Sequence, residues 1–398
     1  MDYFYKYQKY KIKYLLLRDH KFKAVGGNTT VDRNTSFDEE VYKMILLRNK
    51  SVVYSNLSLK EALLLAYIGT SSFGELAKSS DRNLGTSASN LIKDYQIIFG
   101  KEDTDVLVGK YKSLNDELTR TNVVEIANSI WINSNKNITV TSQYSDKAHI
   151  IGDIKNQPFN DIENSINSWV SQKTNGMITN MGKIDPESVL IIVNAIYFKA
   201  KWIHPFDIKN TIPQPFFLNE NEQLECKFMK INSDKCHYYE TDNVQILGKK
   251  YENDFMMIII LPKNQYKPIV VSDNKLIQYY NDLKEETVSI QIPKFTTESK
   301  HDLIPILQHI GINNIFIESH DKISTDKKSL IISKIIQKCK IIVDEEGTEA
   351  AAVTVVIMKE SLVMPQKPKS FVANRPFSYY IIHEKTKTVI FNGSFYGK

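Results

Sequence analysis

The chain has 398 residues, enough for one large domain or two ordinary ones. Its hydrophobic content of 42% and charged content of 24% are those of an ordinary soluble globular protein, and no apolar run approaches the roughly eighteen residues that a transmembrane helix needs. The net charge of +5 gives no reason to expect nucleic-acid binding by the whole chain, and the three cysteines (Cys226, Cys236 and Cys339) require neither a disulfide framework nor an oxidising compartment.

The first segment, residues 1–30, is a basic leader rich in tyrosine. Seven of residues 1–23 are Lys or Arg. Spacings of four and three place one set of side chains on a single face of a predicted helix: Tyr3, Tyr7, Tyr10, Tyr14 and Leu17. The longest apolar run, residues 14–17, is shorter than the core of about seven that a secretory signal needs, so no conventional signal peptide is predicted. Gly26-Gly27 is read as a flexible joint to a single domain over residues 31–398.

Helical spacing dominates the first half of this domain and strand patterns dominate the second. The predicted helices cover residues 37–48, 57–69 and 161–174. The predicted strands cover residues 188–199, 255–261, 287–292, 329–343 and 377–395. Helices first and strands later favour a mixed α+β domain. Residues 85–122 carry no readable pattern.

The loop between the last two strand patterns has an unusual composition. The connection that follows Val343 is about twenty-five residues long, and a connection of this length in a compact domain is usually functional. Small or apolar side chains recur in it at period two: Thr348, Ala350, Ala352, Thr354 and Val356. No proline occurs before Pro365, so the segment has the pattern of a strand able to bury one face. We therefore predict a strand that is held as a loop.

Motifs along the chain occur in an order typical of one known family. The loop carries Glu345-Glu346-Gly347-Thr348-Glu349-Ala350-Ala351-Ala352-Val353-Thr354. The other motifs are Ser55-Asn56-Leu57-Ser58, Asn167-Ser168-Trp169-Val170, Val193-Asn194-Ala195-Ile196-Tyr197-Phe198, Ile292-Pro293-Lys294-Phe295 and Asn374-Arg375-Pro376-Phe377. Over residues 37–395 the chain resembles the serpins. The resemblance implies an α+β serpin fold, with helices packed on three β-sheets and an exposed reactive-centre loop at about residues 345–370.

The resemblance assigns roles to two sets of residues. The first set is the hinge, where the loop begins to insert into the main sheet: Glu345, Gly347, Thr348, Ala350, Ala351, Ala352 and Thr354. Glycine permits the backbone change, and the small residues slide between strands without overpacking. The second set controls opening of that sheet: Ser55, Ser58, Asn194, Trp202 and Gln337. Many family members carry histidine at the position of Gln337, and an amide also supplies both a donor and an acceptor.

The resemblance further implies a suicide inhibitor of a serine or cysteine protease rather than an enzyme. In the family, the protease cleaves the loop, forms an acyl-enzyme and is carried across the molecule as the loop inserts into a metastable fold. The chain contains neither G-x-S-x-G nor H-E-x-x-H, and no cofactor or metal is expected. His301 and His309 are predicted to have surface or capping roles.

The reactive bond has more than one candidate. Counting the family's usual fifteen positions from Gly347 places it at Ser361-Leu362, which suits a shallow, elastase-like pocket. A loop that is one residue shorter places it at Glu360-Ser361, which suits an acid-selective protease. Lys359-Glu360 is a third option, and it suits a trypsin-like enzyme with an acidic pocket.

The leader carries a second resemblance, to Tyr/Lys leaders closed by Gly-Gly on many proteins of mimivirus-like giant viruses. It is either a packaging or partner-binding tag or a solvated basic helix without a specific role. We expect a monomer whose partner is a serine protease held in a covalent acyl complex, with the virion or host cytoplasm as compartment and secretion left open. The alternative is a non-inhibitory serpin that acts as a structural or binding protein, for example in the virion. That alternative draws on the leader, on Gln337 and on Ala200, where the family usually has Gly.

Overall fold

The computed structural model describes residues 36–46, 49–70, 82–324, 326, 330–348 and 368–397. Eight α-helices lie in these ranges. Their bounds are α1 Phe37–Leu46, α2 Asn56–Tyr67, α3 Arg82–Phe99, α4 Thr104–Thr119, α5 Ser142–Ala148, α6 Ile162–Lys173, α7 Asp273–Asp282 and α8 Ile304–His309. All three predicted helices are present as α1, α2 and α6. The stretch without a readable pattern, residues 85–122, contains most of α3 and all of α4.

The strands are more numerous than the sequence patterns indicate. Their bounds are β1 Val52–Tyr54, β2 Val124–Asn133, β3 Asp153–Gln157, β4 Leu190–Phe198, β5 Ala200–Lys201, β6 Ile212–Phe217, β7 Gln223–Glu240, β8 Val244–Lys250, β9 Phe255–Pro262, β10 Lys284–Pro293, β11 Phe295–Asp302, β12 Ile332–Val343, β13 Gly347–Thr348, β14 Lys369–Val372, β15 Phe377–His383 and β16 Thr388–Phe395. The predicted strand over residues 377–395 is a hairpin of β15 and β16.

These strands form two large sheets and one short pair. Five strands make one sheet in the order β11-β12-β4-β2-β3. Nine strands make the other, in the order β1-β16-β15-β9-β8-β7-β10-β14, with β6 also paired to β7. The long strand β7 thus joins two parts of the larger sheet. The third sheet is the two-residue pairing of β13 with β5. The mixed α+β class is confirmed.

Helices cover the five-stranded sheet on both faces. On one face α2, whose leucines and alanines are almost all buried, packs against β2 and β4 and joins the main core. Its first turn is capped by Ser55, whose Oγ accepts a hydrogen bond from the Ser58 amide. On the other face α6 buries Ile162, Ile166 and Trp169, a helical stripe, in a second and smaller core. The sheet is therefore a buried layer rather than a solvated one.

The centre of the five-stranded sheet is a parallel junction between β4 and β12, which we call the seam. The strands pair directly, from Ile332 opposite Leu190 to Lys340 opposite Tyr197. Every other junction of β4 and β12 in this sheet is antiparallel, β4 with β2 and β12 with β11. A strand entering the seam antiparallel to both neighbours would therefore continue the alternation that the seam interrupts.

Candidate functional site

The chain reverses direction directly after β12. The Asp344 side-chain Oδ1 accepts hydrogen bonds from the amides of Glu346 and Gly347, at 3.1 and 3.2 Å. The Asp344 amide in turn donates to the Gly347 carbonyl at 2.8 Å. An aspartate that bonds its own backbone a few residues on is a standard device for a tight turn. The turn sends the next residues back towards the seam.

Gly347 and Thr348 already run as a strand. They pair antiparallel with β5, which follows β4 after Lys199: Gly347 lies opposite Lys201 and Thr348 opposite Ala200. At Gly347 the φ angle is +155°, and a Cβ there would lie 2.1 Å from the Ala200 carbonyl oxygen. Only glycine fits this close approach. The segment predicted as a strand held as a loop is thus a strand over its first two residues.

Thr348 points inward and is fully buried. Its Oγ1 lies 3.0 Å from the hydroxyl of Tyr251, which is also buried. Because side chains alternate along a strand, a continuation of β13 would place residues 350, 352 and 354 on the same inward face as Thr348. Alanine and threonine occupy those positions in the sequence.

The side chain of Glu345 also anchors the turn, by binding two residues outside it. Its carboxylate accepts from Lys294 Nζ at 2.6 Å and from Thr211 Oγ1 at 2.8 Å, and only 8% of the side chain is exposed. Burial by itself would raise the pKa of Glu345, but these two donors outweigh it and hold the pKa below its ordinary value. The Glu345 carbonyl accepts from the Phe206 amide at 2.7 Å.

Trp202 holds the residues on either side of Glu345. Its indole Nε1 donates to the Asp344 carbonyl at 2.9 Å, and its backbone amide donates to the Glu346 carbonyl at 2.8 Å. The indole stacks on Tyr251 with ring centres 3.9 Å apart. Three successive carbonyls of the turn are therefore bound by the segment Ala200–Phe206, which we call the hinge platform.

A row of four polar residues crosses the five-stranded sheet. His301, Gln337, Asn194 and Asn128 lie opposite one another on successive strands β11, β12, β4 and β2. All four are buried. Residues that are paired in register share a face of the sheet, and this polar row faces the segment of β1 and α2.

Each member of the polar row makes a hydrogen bond to a residue of that segment or to its neighbour in the row, although Asn194 Oδ1 is buried without a partner. The Gln337 amide Nε2 donates to the Ser55 carbonyl at 2.8 Å, and its Oε1 accepts from the Ser55 amide at 3.1 Å. Asn194 Nδ2 donates to Ser58 Oγ and to Asn128 Oδ1. The glutamine therefore uses both its donor and its acceptor on Ser55, in the layer beneath the sheet.

Sequence reasoning missed three residues of this network. His301 was expected at the surface or at a helix cap, and this expectation is wrong: the ring is buried and Nε2 lies 3.0 Å from the Val53 carbonyl oxygen. Asn128 extends the polar row, and its Nδ2 donates to the Glu61 carboxyl at 2.8 Å. A lone acid inside the apolar run of α2 was the available signal for Glu61. His309 lies exposed in the last turn of α8, as expected.

Glu61 is a fully buried carboxyl on α2, beneath the five-stranded sheet. Burial raises its pKa from the ordinary 4.5 to about 8, although hydrogen bonds from Asn128 and Asn115 oppose the shift. The side chain is therefore neutral at pH 7. Since the unfolded chain would hold Glu61 ionised at that pH, unfolding releases a proton.

We expect the contribution of Glu61 to the stability of the protein to fall as pH rises from about 4.5 to about 8, because the native form keeps the Glu61 proton over this window. The contribution is fully present below the unfolded pKa and is lost as pH rises through the folded one, at up to about 1.4 kcal/mol per pH unit. Glu61→Gln should flatten this slope, as measured by thermal unfolding between pH 5 and 8. Glu220→Gln, at an exposed position, is the matched control and should leave the slope unchanged. A slope that is identical in wild type and Glu61→Gln would contradict the assignment.

Gln337→Ala should destabilise the closed sheet by about 1–3 kcal/mol, because the buried Ser55 amide loses its Gln337 acceptor and the Ser55 carbonyl keeps only the Leu59 amide as a donor. Gln337→His, which restores a donor and an acceptor, should lose less. Denaturant unfolding of the three proteins tests this order. Equal stability of the alanine and histidine variants would show that the hydrogen bonds to Ser55 do not hold the seam.

The remaining predicted site residues lie outside the described part of the chain. These are Ala350, Ala351, Ala352, Thr354, Glu360, Ser361 and Leu362. Within the described ranges, no group of three or more His, Cys, Asp or Glu side chains is arranged to hold a metal ion. The same ranges contain no helix that is long and apolar enough to cross a membrane. All three cysteines are free and buried.

The family follows from comparison with known proteins. The model of the family described as Serpin (serine protease inhibitor) matches residues 32–397. The chain therefore belongs to the serpin family, and the prediction of the family and its fold is confirmed. An uncharacterised serpin-like protein of Acanthamoeba polyphaga mimivirus is 30% identical over 430 aligned residues that cover 100% of both chains.

Solved structures give the same fold. The native-state crystal structure of tengpin, a thermophilic serpin, has a TM-score of 0.75 and 26% identity, covering 91% of this chain and 92% of that one. Human thyroxine-binding globulin, in complex with its hormone, has a TM-score of 0.75 at 19% identity, covering 91% of this chain and 96% of that one. The second likeness shows the fold alone. Family membership thus defines a protease-inhibitor type of protein, within which individual members differ in function.

Proposed function

We propose that this serpin is a suicide inhibitor of a serine protease, acting by cleavage and insertion of its reactive-centre loop. The observation that carries the proposal is the antiparallel pairing of Gly347–Thr348 with β5, in the direction of a strand entering the seam. Thr348 is small and buried, as the first inserting residue must be. The chain needs no catalytic group of its own, because the protease supplies the nucleophile.

Insertion would be favourable because it replaces one parallel junction by two antiparallel ones. The direct pairing of β4 with β12 would be lost, and the new strand would gain backbone partners on both edges. Small side chains at alternate positions of the loop would enter without overpacking the layer beneath. Cleavage of the loop removes the covalent restraint that keeps the strand out, so insertion would follow acylation and trap the protease.

The reactive bond is proposed at Ser361-Leu362, with Glu360-Ser361 as the alternative. A small Ser would enter a shallow, elastase-like pocket, and Glu would select an acid-specific protease. Mass spectrometry of the fragment released from a denatured complex identifies the bond directly. We further propose that residues 1–30 form a leader separate from the inhibitory domain of residues 31–398, which acts as a monomer.

Incubation with a panel of serine and cysteine proteases should yield a complex that survives denaturation. Thr348→Arg should abolish this complex, because the buried site next to Tyr251 has no room or counter-charge for a guanidinium. The variant should then be cleaved as an ordinary substrate, and gel electrophoresis separates the two outcomes.

Thr296→Arg is the matched control, since Thr296 is exposed on the edge strand β11 and away from the seam. It should form the complex as the wild type does. If every active protease cleaves the wild-type loop and none is retained, the inhibitory proposal is wrong.

A binding or structural role is the second candidate, and the dense bonding of the turn favours it: three carbonyls and one carboxylate hold residues 344–346 in place. Heat distinguishes the two roles. A protein that inserts its cleaved loop should unfold at a markedly higher temperature after cleavage, because a strand has been added to the sheet. Equal unfolding temperatures before and after cleavage, measured by circular dichroism, would favour the binding role.

A further inference from the structure

A buried ion pair lies directly behind the hinge platform. Lys249 on β8 and Asp234 on β7 are each 3% exposed, and Lys249 Nζ lies 2.8 Å from Asp234 Oδ2. The other carboxylate oxygen, Oδ1, lies 2.8 Å from Nδ1 of His204, whose side chain is 53% exposed. Both carboxylate oxygens are thus engaged, one in the interior and one at the surface.

Lys249 contacts two aromatic side chains of the platform. Its Nζ is 4.8 Å from the ring centre of Phe206 and 5.6 Å from that of Trp202. A desolvated ammonium this close to aromatic faces is attracted by the ring quadrupoles. Burial lowers the pKa of Lys249, and Asp234 opposes this shift. The ion pair with Asp234 holds the Lys249 ammonium against Trp202 and Phe206, the two residues whose backbone amides bind the turn.

The platform is held between the turn and the C-terminal end of β8. On one side, the Trp202 and Phe206 amides bind the Glu346 and Glu345 carbonyls. On the other, the Ile203 amide donates to the Lys250 carbonyl at 3.1 Å, next to Lys249. Any displacement of Trp202 or Phe206 therefore moves donors of the hinge.

We propose that Lys249 and Asp234 are positioning residues for loop insertion: they hold Trp202 and Phe206 in the orientation that restrains the hinge. This inference rests on the proposed inhibitory function and deepens it by naming what regulates release of the hinge. Neither residue touches the loop. Each acts through the platform, with Asp234 locating Lys249 and Lys249 locating the two rings.

The test uses peptide uptake, which requires no protease. A synthetic peptide with the sequence of residues 348–361 is incubated with the full-length chain well below its unfolding temperature, and incorporation is followed by native electrophoresis with a scrambled peptide as blank. Lys249→Met should accelerate incorporation about tenfold, because it removes the cation from both rings and leaves Asp234 buried without it. Asp234→Asn, a smaller change, should give an intermediate rate.

The double variant Asp234→Leu/Lys249→Met separates positioning from general destabilisation. It replaces the ion pair by an apolar pair, which restores packing without leaving a lone buried charge. Because the cation is absent from both rings, its rate should stay as high as that of Lys249→Met, whereas a return to the wild-type rate would assign the acceleration to the lone buried charge and overturn the inference. Lys263→Met, which removes a partly exposed partner of Glu240 in the same sheet, is the matched control and should leave the rate unchanged. Should Lys249→Met fail to fold, Asp234→Asn and the double variant carry the comparison.

The outcomes distinguish this inference from the proposed function. If Lys249→Met or Asp234→Asn lowers the unfolding temperature but leaves the rate of peptide incorporation unchanged, the pair is merely structural and the inference is overturned. If the wild type takes up peptide but the variants do not differ from it, only the inference fails. A wild-type chain that takes up no peptide contradicts insertion itself, and both proposals with it.

Discussion

The direct parallel pairing of β4 with β12 is the constraint on which the rest of the structure depends. β4 is buried along its whole length and β12 at eight of its twelve positions, so most of the seam is shielded from solvent. The neighbouring junctions, β12 with β11 and β4 with β2, are antiparallel, so a strand placed between β4 and β12 could replace the parallel junction by two antiparallel ones. Under the proposed inhibitory function, three surrounding features would restrain that replacement: the polar row beneath the seam, the turn at its end and the platform beside the turn.

The restraints act at two separate points along the seam. Gln337 and Asn194 are paired in register near its middle and bind Ser55 and Ser58, which belong to the layer beneath. Trp202 and Phe206 act at its end, where they bind the backbone of residues 344–346. A strand that enters from the end meets the platform first and the polar row later. In the proposed insertion, release of the hinge and separation of the strands would therefore be distinct steps that depend on different residues.

Sequence patterns predicted the fold where side chains alone determine the local structure. The apolar runs of β4 and β12 and the helical stripe of α6 were recognised because buried strands and helices show, respectively, continuous apolar runs and apolar residues at helical spacing. The strands β2 and β3 were missed because Glu125, Asn128 and Ser129 interrupt the apolar residues of β2 and because β3 is mostly half-exposed, so neither shows an unbroken apolar run or a clear alternation. The assignment of the hinge from Gly347 and the small residues after it stays a prediction, and the structure describes only Gly347 and Thr348 of that segment as a strand. The Asp234–Lys249 pair was not recognisable from the sequence, because charged residues on different strands leave no periodic signal and meet only through the pairing of β7 with β8.

The groups that hold the seam and the hinge closed are polar, and this has a mechanical consequence. Apolar side chains slide past one another with a gradual loss of contact, whereas a buried hydrogen bond or ion pair weakens steeply with distance and leaves its partners unsatisfied. Lys249 with Asp234, and Gln337 with Ser55, must therefore either keep their geometry or lose it in a discrete step. Such groups make the closed state well defined without making the sheet uniformly more stable. Under the proposed inhibitory function, the fold would stay closed until cleavage and then rearrange completely, and it would require restraints of this discrete kind at the contacts between the seam, the turn and the platform.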